Sequence, residues 1–159
     1  MKNGTTNWRR FFRLATAFAL AVGLAASAAC KSESLLAGCS AVLSADKAAY
    51  AKGEPIRLQL ALVNDEEDLV TLTFGSSQIY DFWVLDAAGS EVWRWSNSRV
   101  FAAVVTYIDL MPGASAVYTE IWDQLSNDKL AVPAGAYTIH ARVMIADPPS
   151  IDPVTISIQ

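Results

Sequence analysis

The sequence is poor in the residues that catalytic and metal sites need. Its 159 residues include two cysteines and one histidine. Two cysteines nine positions apart and a distant histidine do not supply the four clustered ligands of a zinc site. No Gly-x-Ser-x-Gly segment carries a nucleophilic serine, and His140 lies in an alternating segment without the partners that catalysis requires. We therefore predict a protein that is not an enzyme and that holds no metal and no cofactor.

Basic residues are scarce outside the first 29 positions. Residues 1–29 hold four of the twelve basic residues and none of the sixteen acidic ones, so the remainder has a net charge of −8. Because binding to a phosphate backbone needs a basic surface, we expect no nucleic-acid partner. The one dense acidic cluster, residues 65–68, lacks the alternating spacing and the glycine of a calcium loop and is typical of a solvated turn.

Residues 1–29 have the pattern of a secretory signal. Four basic positions and no acidic ones precede an uncharged apolar run, residues 14–26, and small residues follow it. A bilayer-spanning helix needs about 20 apolar residues, which this run does not reach. We predict a signal-peptide helix in residues 1–29, a short tether in residues 30–39 and one folded domain in residues 40–159.

Two cysteines compete for the end of this signal. Residues 27–30 (SAAC) follow the apolar run directly, whereas residues 36–39 (LAGC) are more similar to a lipoprotein cleavage motif but follow charged positions. Position favours cleavage before Cys30, whose thiol would then accept a lipid anchor at the cell envelope, on its periplasmic or extracellular face. The alternatives are a secreted soluble protein, cleaved after a nearby alanine, and a disulfide between Cys30 and Cys39.

From residue 40 onward apolar residues alternate with polar ones, as in Ile56, Leu58 and Leu60. A period of two predicts strands with one buried and one wetter face. We predict about nine strands, at residues 40–46, 56–63, 69–74, 80–86, 90–95, 105–110, 115–122, 136–145 and 153–158. The predicted fold is all-β: an immunoglobulin-like antiparallel β-sandwich of about eight or nine strands with Greek-key connections, preceded by the signal-peptide helix.

Residues 80–96, YDFWVLDAAGSEVWRWS, hold three of the five tryptophans around a turn at Gly89. The alternation places Phe82 on one face of the predicted hairpin and Trp83 on the other. A sandwich buries only the inner face of each sheet. We therefore expect most of these rings in the core and the others covered by a loop or a partner, or left exposed.

This hairpin resembles that of the BsuPI-type intracellular proteinase inhibitor domain family, and the motifs around it follow a similar order. Those motifs are Tyr50, KGEP at 52–55, VN at 63–64, Phe74, SQ at 77–78, Phe101, PG at 112–113, Tyr118, Trp122 and PAGAYT at 133–138. The resemblance covers about residues 42–145. It implies a compact β-sandwich that binds a serine proteinase, and it identifies no reactive-site residue.

Two predicted loops are suited to enter a proteinase cleft in an extended shape. Residues 97–101 offer Arg99 and Phe101, and residues 125–130 offer Lys129. The alternative is that both are ordinary exposed connections, where polar residues are common. We expect a non-enzymatic, lipid-anchored or secreted envelope protein that binds a protein partner, in particular a serine proteinase. The alternative function is a structural or assembly module of the bacterial envelope without inhibitory activity.

Overall fold

The computed structural model describes residues 38–159, where all regular structure is β-strand. The strands are β1 (Cys39–Ala45), β2 (Ala49–Tyr50), β3 (Ile56–Asn64), β4 (Val70–Phe74), β5 (Tyr80–Asp86), β6 (Glu91–Arg94), β7 (Thr106–Leu110), β8 (Ser115–Trp122), β9 (Gly135–Val143) and β10 (Val154–Ile158). Within this part of the chain, no helix could cross a bilayer. The predicted signal-peptide helix and Cys30 lie outside the described residues.

The nine predicted strands are all present, each within two residues at either end. The prediction missed β2, and it was wrong in making every pairing antiparallel, because β2 runs parallel to β10. Two residues are too few to show a period, and their partners, Ser157 and Ile158, lie more than a hundred positions away. Cys39, which we assigned to the tether, is the first residue of β1.

The strands form two larger sheets and a separate pair. The orders are β1-β3-β8, β2-β10-β9-β5-β6 and β4-β7. The two larger sheets contribute their inner faces to one hydrophobic core, so the molecule is sandwich-like. Trp122 of β8 spans the two layers, with its ring centroid 6.2 Å from that of Trp93 and 5.5 Å from that of Tyr137.

The alternating pattern explains which side chains the core receives. Ile56, Leu58, Leu60 and Leu62 of β3 are fully buried, and the positions between them are exposed or half-buried. Burying each such side chain stabilises the fold by about 1.5–3 kcal/mol. This row and the buried residues of β5 and β9 pack together and hold the two sheets in place. The loops described below emerge from the ends of these sheets.

A buried asparagine explains why residues 65–68 form an exposed turn. Asn64 donates its amide hydrogens to the carbonyl oxygens of Asp68 and Leu110, both at 2.8 Å, and accepts from the Glu66 N–H at 2.9 Å. The turn is therefore closed by an uncharged side chain. Its four acidic residues point into solvent.

Candidate functional site

The tryptophan hairpin divides its rings between the two faces of the five-stranded sheet. Phe82 and Trp93 lie in the core, whereas Trp83 lies half-exposed on the outer face. There Trp83 is sandwiched between the Arg94 guanidinium, 5.0 Å from its ring centroid, and the His140 ring, which stacks on it at 5.2 Å. Tyr80 and Trp95 pack half-buried against the core, so most rings lie in or against it and Trp83 stays outside, as expected.

This stack gives His140 a packing position. Its ring lies within 9° of parallel to the indole of Trp83. Burial against that ring disfavours the charged imidazolium and lowers the pKa of His140 below its ordinary value. The histidine thus packs as a neutral aromatic ring on the outer face of the sheet.

A buried carboxylate at the base of the hairpin holds the turn that follows β6. Asp81 accepts hydrogen bonds from Arg94 Nη1 at 2.8 Å, from the Ser96 hydroxyl at 2.7 Å and from the Ser96 N–H at 3.1 Å. Arg94 also donates to Glu91, and the two carboxylates raise the pKa of its guanidinium, Glu91 more strongly than Asp81. Asp81 therefore determines where residues 95–98 leave the sheet.

Beyond this turn, Arg99 and Phe101 both pack on Trp95. The Arg99 guanidinium lies 4.2 Å from the ring centroid of Trp95, and its Nε donates to the Trp95 carbonyl oxygen at 2.9 Å. The Phe101 ring lies 5.7 Å from the same indole, and Tyr80 packs against it at 4.6 Å. The Trp95 indole N–H is buried and has no acceptor among the described residues.

Lys129 lies on a second loop that packs beside β6. Leu125 pairs with Ala131, and the Lys129 N–H donates to the Ser126 carbonyl oxygen at 2.9 Å, which closes a tight turn. The loop is attached to β6 through Asn127. Its N–H donates to the Val92 carbonyl oxygen at 2.8 Å, and its side-chain oxygen accepts from the Arg94 N–H at 2.9 Å.

The two loops meet at one cleft, which brings Arg99 and Lys129 together. The cleft has a volume of about 380 Å³ and is lined by both residues together with Trp93, Trp95 and Asp123 among others. Within residues 38–159, neither Arg99 nor Lys129 forms an ion pair. Phe101 does not line the cleft and packs instead on Trp95, which does. The predicted contact residues thus belong to one surface, with Phe101 as a support.

Unusual backbone conformations are concentrated around this cleft. In the described chain, the non-glycine residues with positive φ are Ser98 (64°), Gln124 (59°) and Lys129 (63°). Ser98 and Lys129 line the cleft, and Gln124 follows its wall residue Asp123. A non-glycine residue in this region costs about 1–2 kcal/mol and persists only where the surroundings enforce it. The contacts of the two loops therefore enforce these backbone conformations at Ser98 and Lys129.

Gln124 is the residue of this region that sequence reasoning missed. Its side chain is buried and donates to the carbonyl oxygens of Ala51 and Glu54 at 2.9 and 2.8 Å, while it accepts from the Gly53 N–H at 2.7 Å. The contact ties the turn before β3 to the connection after β8. In the sequence Gln124 follows Asp123 in a polar connection, where it cannot be distinguished from any other loop glutamine.

The acidic residues offer no site for a metal. Across residues 38–159, no group of three or more His, Cys, Asp or Glu side chains is arranged to hold a metal ion. The acids that line the cleft, Glu120 and Asp123, are separate, and Glu120 already accepts from the Tyr80 hydroxyl at 2.6 Å. Besides these two acids, the cleft is lined by three basic residues, Arg94, Arg99 and Lys129.

Comparison with known proteins gives one family and several distant folds. Residues 43–147 match the family described as BsuPI, intracellular proteinase inhibitor. No curated protein matches the chain. Many solved structures resemble it at low identity, and the three described below each have a TM-score below 0.5.

The three structures differ in kind. The β-glucosidase EmGH1 of Erythrobacter marinus has 13% identity and a TM-score of 0.48, over 77% of this chain and 16% of its own. The alkylpurine DNA glycosylase AlkC of Pseudomonas fluorescens has 14% identity and a TM-score of 0.47, over 78% and 31%. The CARDB domain of PF1109 from Pyrococcus furiosus has 12% identity and a TM-score of 0.43, over 76% and 87%. The chain thus spans less than a third of the first two proteins.

Proposed function

The chain belongs to the BsuPI family of intracellular proteinase inhibitors, and from this premise we propose that it binds and inhibits a serine proteinase through the rim of the cleft. The rim consists of residues 97–101 and residues 126–130. The observation that carries the proposal is that two loops remote in sequence bring Arg99 and Lys129 to one cleft. The protein acts by binding and not by catalysis.

The rigidity of the rim supports this proposal. Proteinase–inhibitor complexes form with little change in the interface backbone, and a loop that is already ordered pays less entropy on binding. Here the buried Asp81 holds one loop and Asn127 holds the other against β6. Both loops are therefore prepared to bind without refolding.

The charge of the rim also supports binding to a protein. Arg99 and Lys129 are two exposed cations without ion pairs in the described part of an acidic protein. Such charges at the edge of an interface steer association with an acidic surface. We infer that the proteinase presents carboxylates beside its cleft.

The test is titration of a panel of serine proteinases with the folded protein and with charge-reversal variants. We expect saturable, stoichiometric inhibition by the wild type, and affinity about ten-fold weaker for the Arg99→Asp, Lys129→Asp double variant, mainly through slower association. Lys52→Asp, an exposed lysine on another turn, is the matched control and should inhibit as the wild type does. A wild type that inhibits no proteinase of the panel refutes the proposal.

We also propose that the inhibitor acts outside the cytoplasm, anchored by a lipid on Cys30. The support is the basic, then apolar, then small-residue pattern of residues 1–29. The target would accordingly be a proteinase of the envelope or the medium, in contrast to the intracellular target in the family's description. Mass spectrometry of the mature N-terminus tests this, because a mature chain whose Cys30 thiol carries no lipid would refute the anchor.

A second candidate function is an assembly module of the envelope. The observation that favours it is an apolar row on the outer face of the three-stranded sheet, where Val42, Val117 and Ile121 are each more than half exposed. Exposed apolar rows of this kind mark protein contacts. An assembly module would appear in cross-linked envelope complexes and would leave proteinases untouched.

For the fold, we infer immunoglobulin-like Greek-key connectivity. It is supported by the pairing of strands that are distant in sequence within each of the two facing sheets. These pairs are β3 with β8 in one sheet and β5 with β9 in the other. An experimental structure of residues 38–159 would test the strand order. An up-and-down order, with neighbours in sequence paired throughout, would contradict it.

A further inference from the structure

Val100 is exposed to an unusual degree for an apolar residue. Its side chain is 97% exposed, and the next most exposed large apolar residue of the described chain, Leu130, reaches 68%. Burying a valine is favourable by about 1.5–3 kcal/mol, and the fold obtains none of it here. Leu130 lies on the other loop of the rim, next to Lys129. The two most exposed large apolar side chains of the described residues therefore lie beside the same cleft.

The exposure of Val100 follows from what its two neighbours do. Arg99 and Phe101 both pack on the Trp95 ring, at 4.2 and 5.7 Å. The Val100 side chain, by contrast, is 97% exposed. Because the residues before and after Val100 both turn inward to the indole, Val100 itself points away from the protein.

The backbone on both sides of Val100 is also tied down. Before it, the Arg99 N–H donates to the Ser96 carbonyl oxygen at 3.1 Å. After it, the Ala102 N–H donates to the Ser77 hydroxyl at 2.9 Å, and the Ala102 carbonyl oxygen accepts from the Ser77 N–H at 3.0 Å. Val100 is thus a single aliphatic side chain held outward between two fixed points.

This geometry distinguishes Val100 from the basic residues of the rim. A proteinase that selects arginine or lysine needs a long free side chain to reach a carboxylate at the bottom of its specificity pocket. Arg99 is held on Trp95 through its guanidinium and its Nε. Phe101 is held on the same ring, so neither neighbour can enter a pocket without breaking these contacts.

We propose that Val100 is the side chain that enters the specificity pocket of the target, and that the target is a serine proteinase with a small apolar pocket. The proposal rests on the proposed inhibitory function and specifies its partner. Four of the residues that follow, Ala102, Ala103, Val104 and Val105, are apolar and exposed as well. These four residues would contact the proteinase beside the entrance to its active-site cleft. Arg99 and Lys129 then act as flanking contacts.

The experiment compares two proteinases of opposite preference: elastase, whose pocket is small and apolar, and trypsin, whose pocket ends in a carboxylate. The wild type should inhibit elastase at least a hundred-fold more strongly than trypsin. Val100→Asp should lose at least a hundred-fold in elastase inhibition. Val100→Arg should lose elastase inhibition and gain inhibition of trypsin. Val117→Asp, an exposed valine on the opposite sheet, is the control and should leave elastase inhibition unchanged.

The outcomes separate this inference from the function on which it rests. Wild-type inhibition that Val100→Asp leaves intact refutes the role of Val100 while the inhibitory function stands. Inhibition of trypsin alone, abolished by Arg99→Ala, also refutes it. If the wild type inhibits no serine proteinase of the panel, the proposed function fails and this inference fails with it. Thermal unfolding of each variant shows whether it is folded, which is expected because Val100 contributes no buried surface.

Discussion

Asp81 Oδ2 lies 2.8 Å from Arg94 Nη1, and this pair joins the strand that enters the tryptophan hairpin to the strand that leaves it. The carboxylate is almost fully buried, whereas the side chain of Arg94 is partly exposed. The same carboxylate accepts both hydrogen bonds of Ser96. One buried acid therefore controls both the hairpin and the loop that carries Arg99 and Val100.

Replacing Asp81 by Asn should loosen this loop. The amide can accept fewer hydrogen bonds and loses the charge opposite Arg94, so we expect a loss of about 1–3 kcal/mol in the free energy of unfolding. Inhibition should weaken as well, because residues 96–101 lose their anchor. Urea denaturation and proteinase titration measure the two effects. Asp152→Asn, at an exposed position, should change neither.

Replacing Gln124 by Met keeps the length of the side chain and removes its polar atoms. The Gly53 N–H and the carbonyl oxygens of Ala51 and Glu54 then lose their partner. Each buried group left unsatisfied costs about 1–3 kcal/mol, partly relieved where water can enter. We expect a loss of about 3 kcal/mol by urea denaturation. Gln59→Met, on the exposed face of β3, should stay within about 0.5 kcal/mol of the wild type.

Replacing Lys129 by Gly should stabilise the protein although it removes a side chain. Lys129 has a φ of 63°, which glycine adopts without strain. We expect a gain of about 1 kcal/mol, reduced by the greater freedom of glycine in the unfolded chain. Asp128→Gly, at a neighbouring position without a positive φ, should destabilise. Equal effects of the two substitutions on the melting temperature would contradict the strain at Lys129.

Acidification should weaken the fold through His140. Its pKa in the folded protein is lowered from 6.5 by burial, so below about pH 6.5 the unfolded chain binds a proton that the folded protein does not. The contribution of neutral His140 to the free energy of unfolding is therefore fully present above about pH 6.5. It decreases as the pH falls toward the pKa of His140 in the folded protein. His140→Phe preserves the stack on Trp83 and should remove this slope below about pH 6.5. Since the chain has one histidine, an unchanged slope in the variant would assign the effect to carboxylates.

The alternation of residue types predicted the strands because burial of one sheet face is a local, repeated property. It is visible in Ile56, Leu58 and Leu60, and Gly89, with a φ of 81°, marks the turn of the hairpin where the sequence indicates it. The pairing of β2 with β10 was not predictable in this way. It depends on two residues meeting a strand from the other end of the domain.

The cleft was predictable only as separate loops. The sequence indicates that Arg99 and Lys129 are exposed, but their shared location depends on Asn127 binding to β6. The direction of Arg99 depends on Trp95, a contact between side chains that no period encodes. The positive φ angles of Gln124 and Lys129 could not be predicted either. Glycine is the residue that signals such a conformation in a sequence, and neither residue is glycine.

Trp95 gives the rim an optical reporter of its own. Its indole contacts Arg99 and Phe101, the residues on either side of Val100, whereas Trp122 is fully buried inside the sandwich. Any molecule that seats on Val100 must alter the polarity or the motion around this ring. Engagement of the loop should therefore change the intrinsic fluorescence of the protein, without a label and in real time.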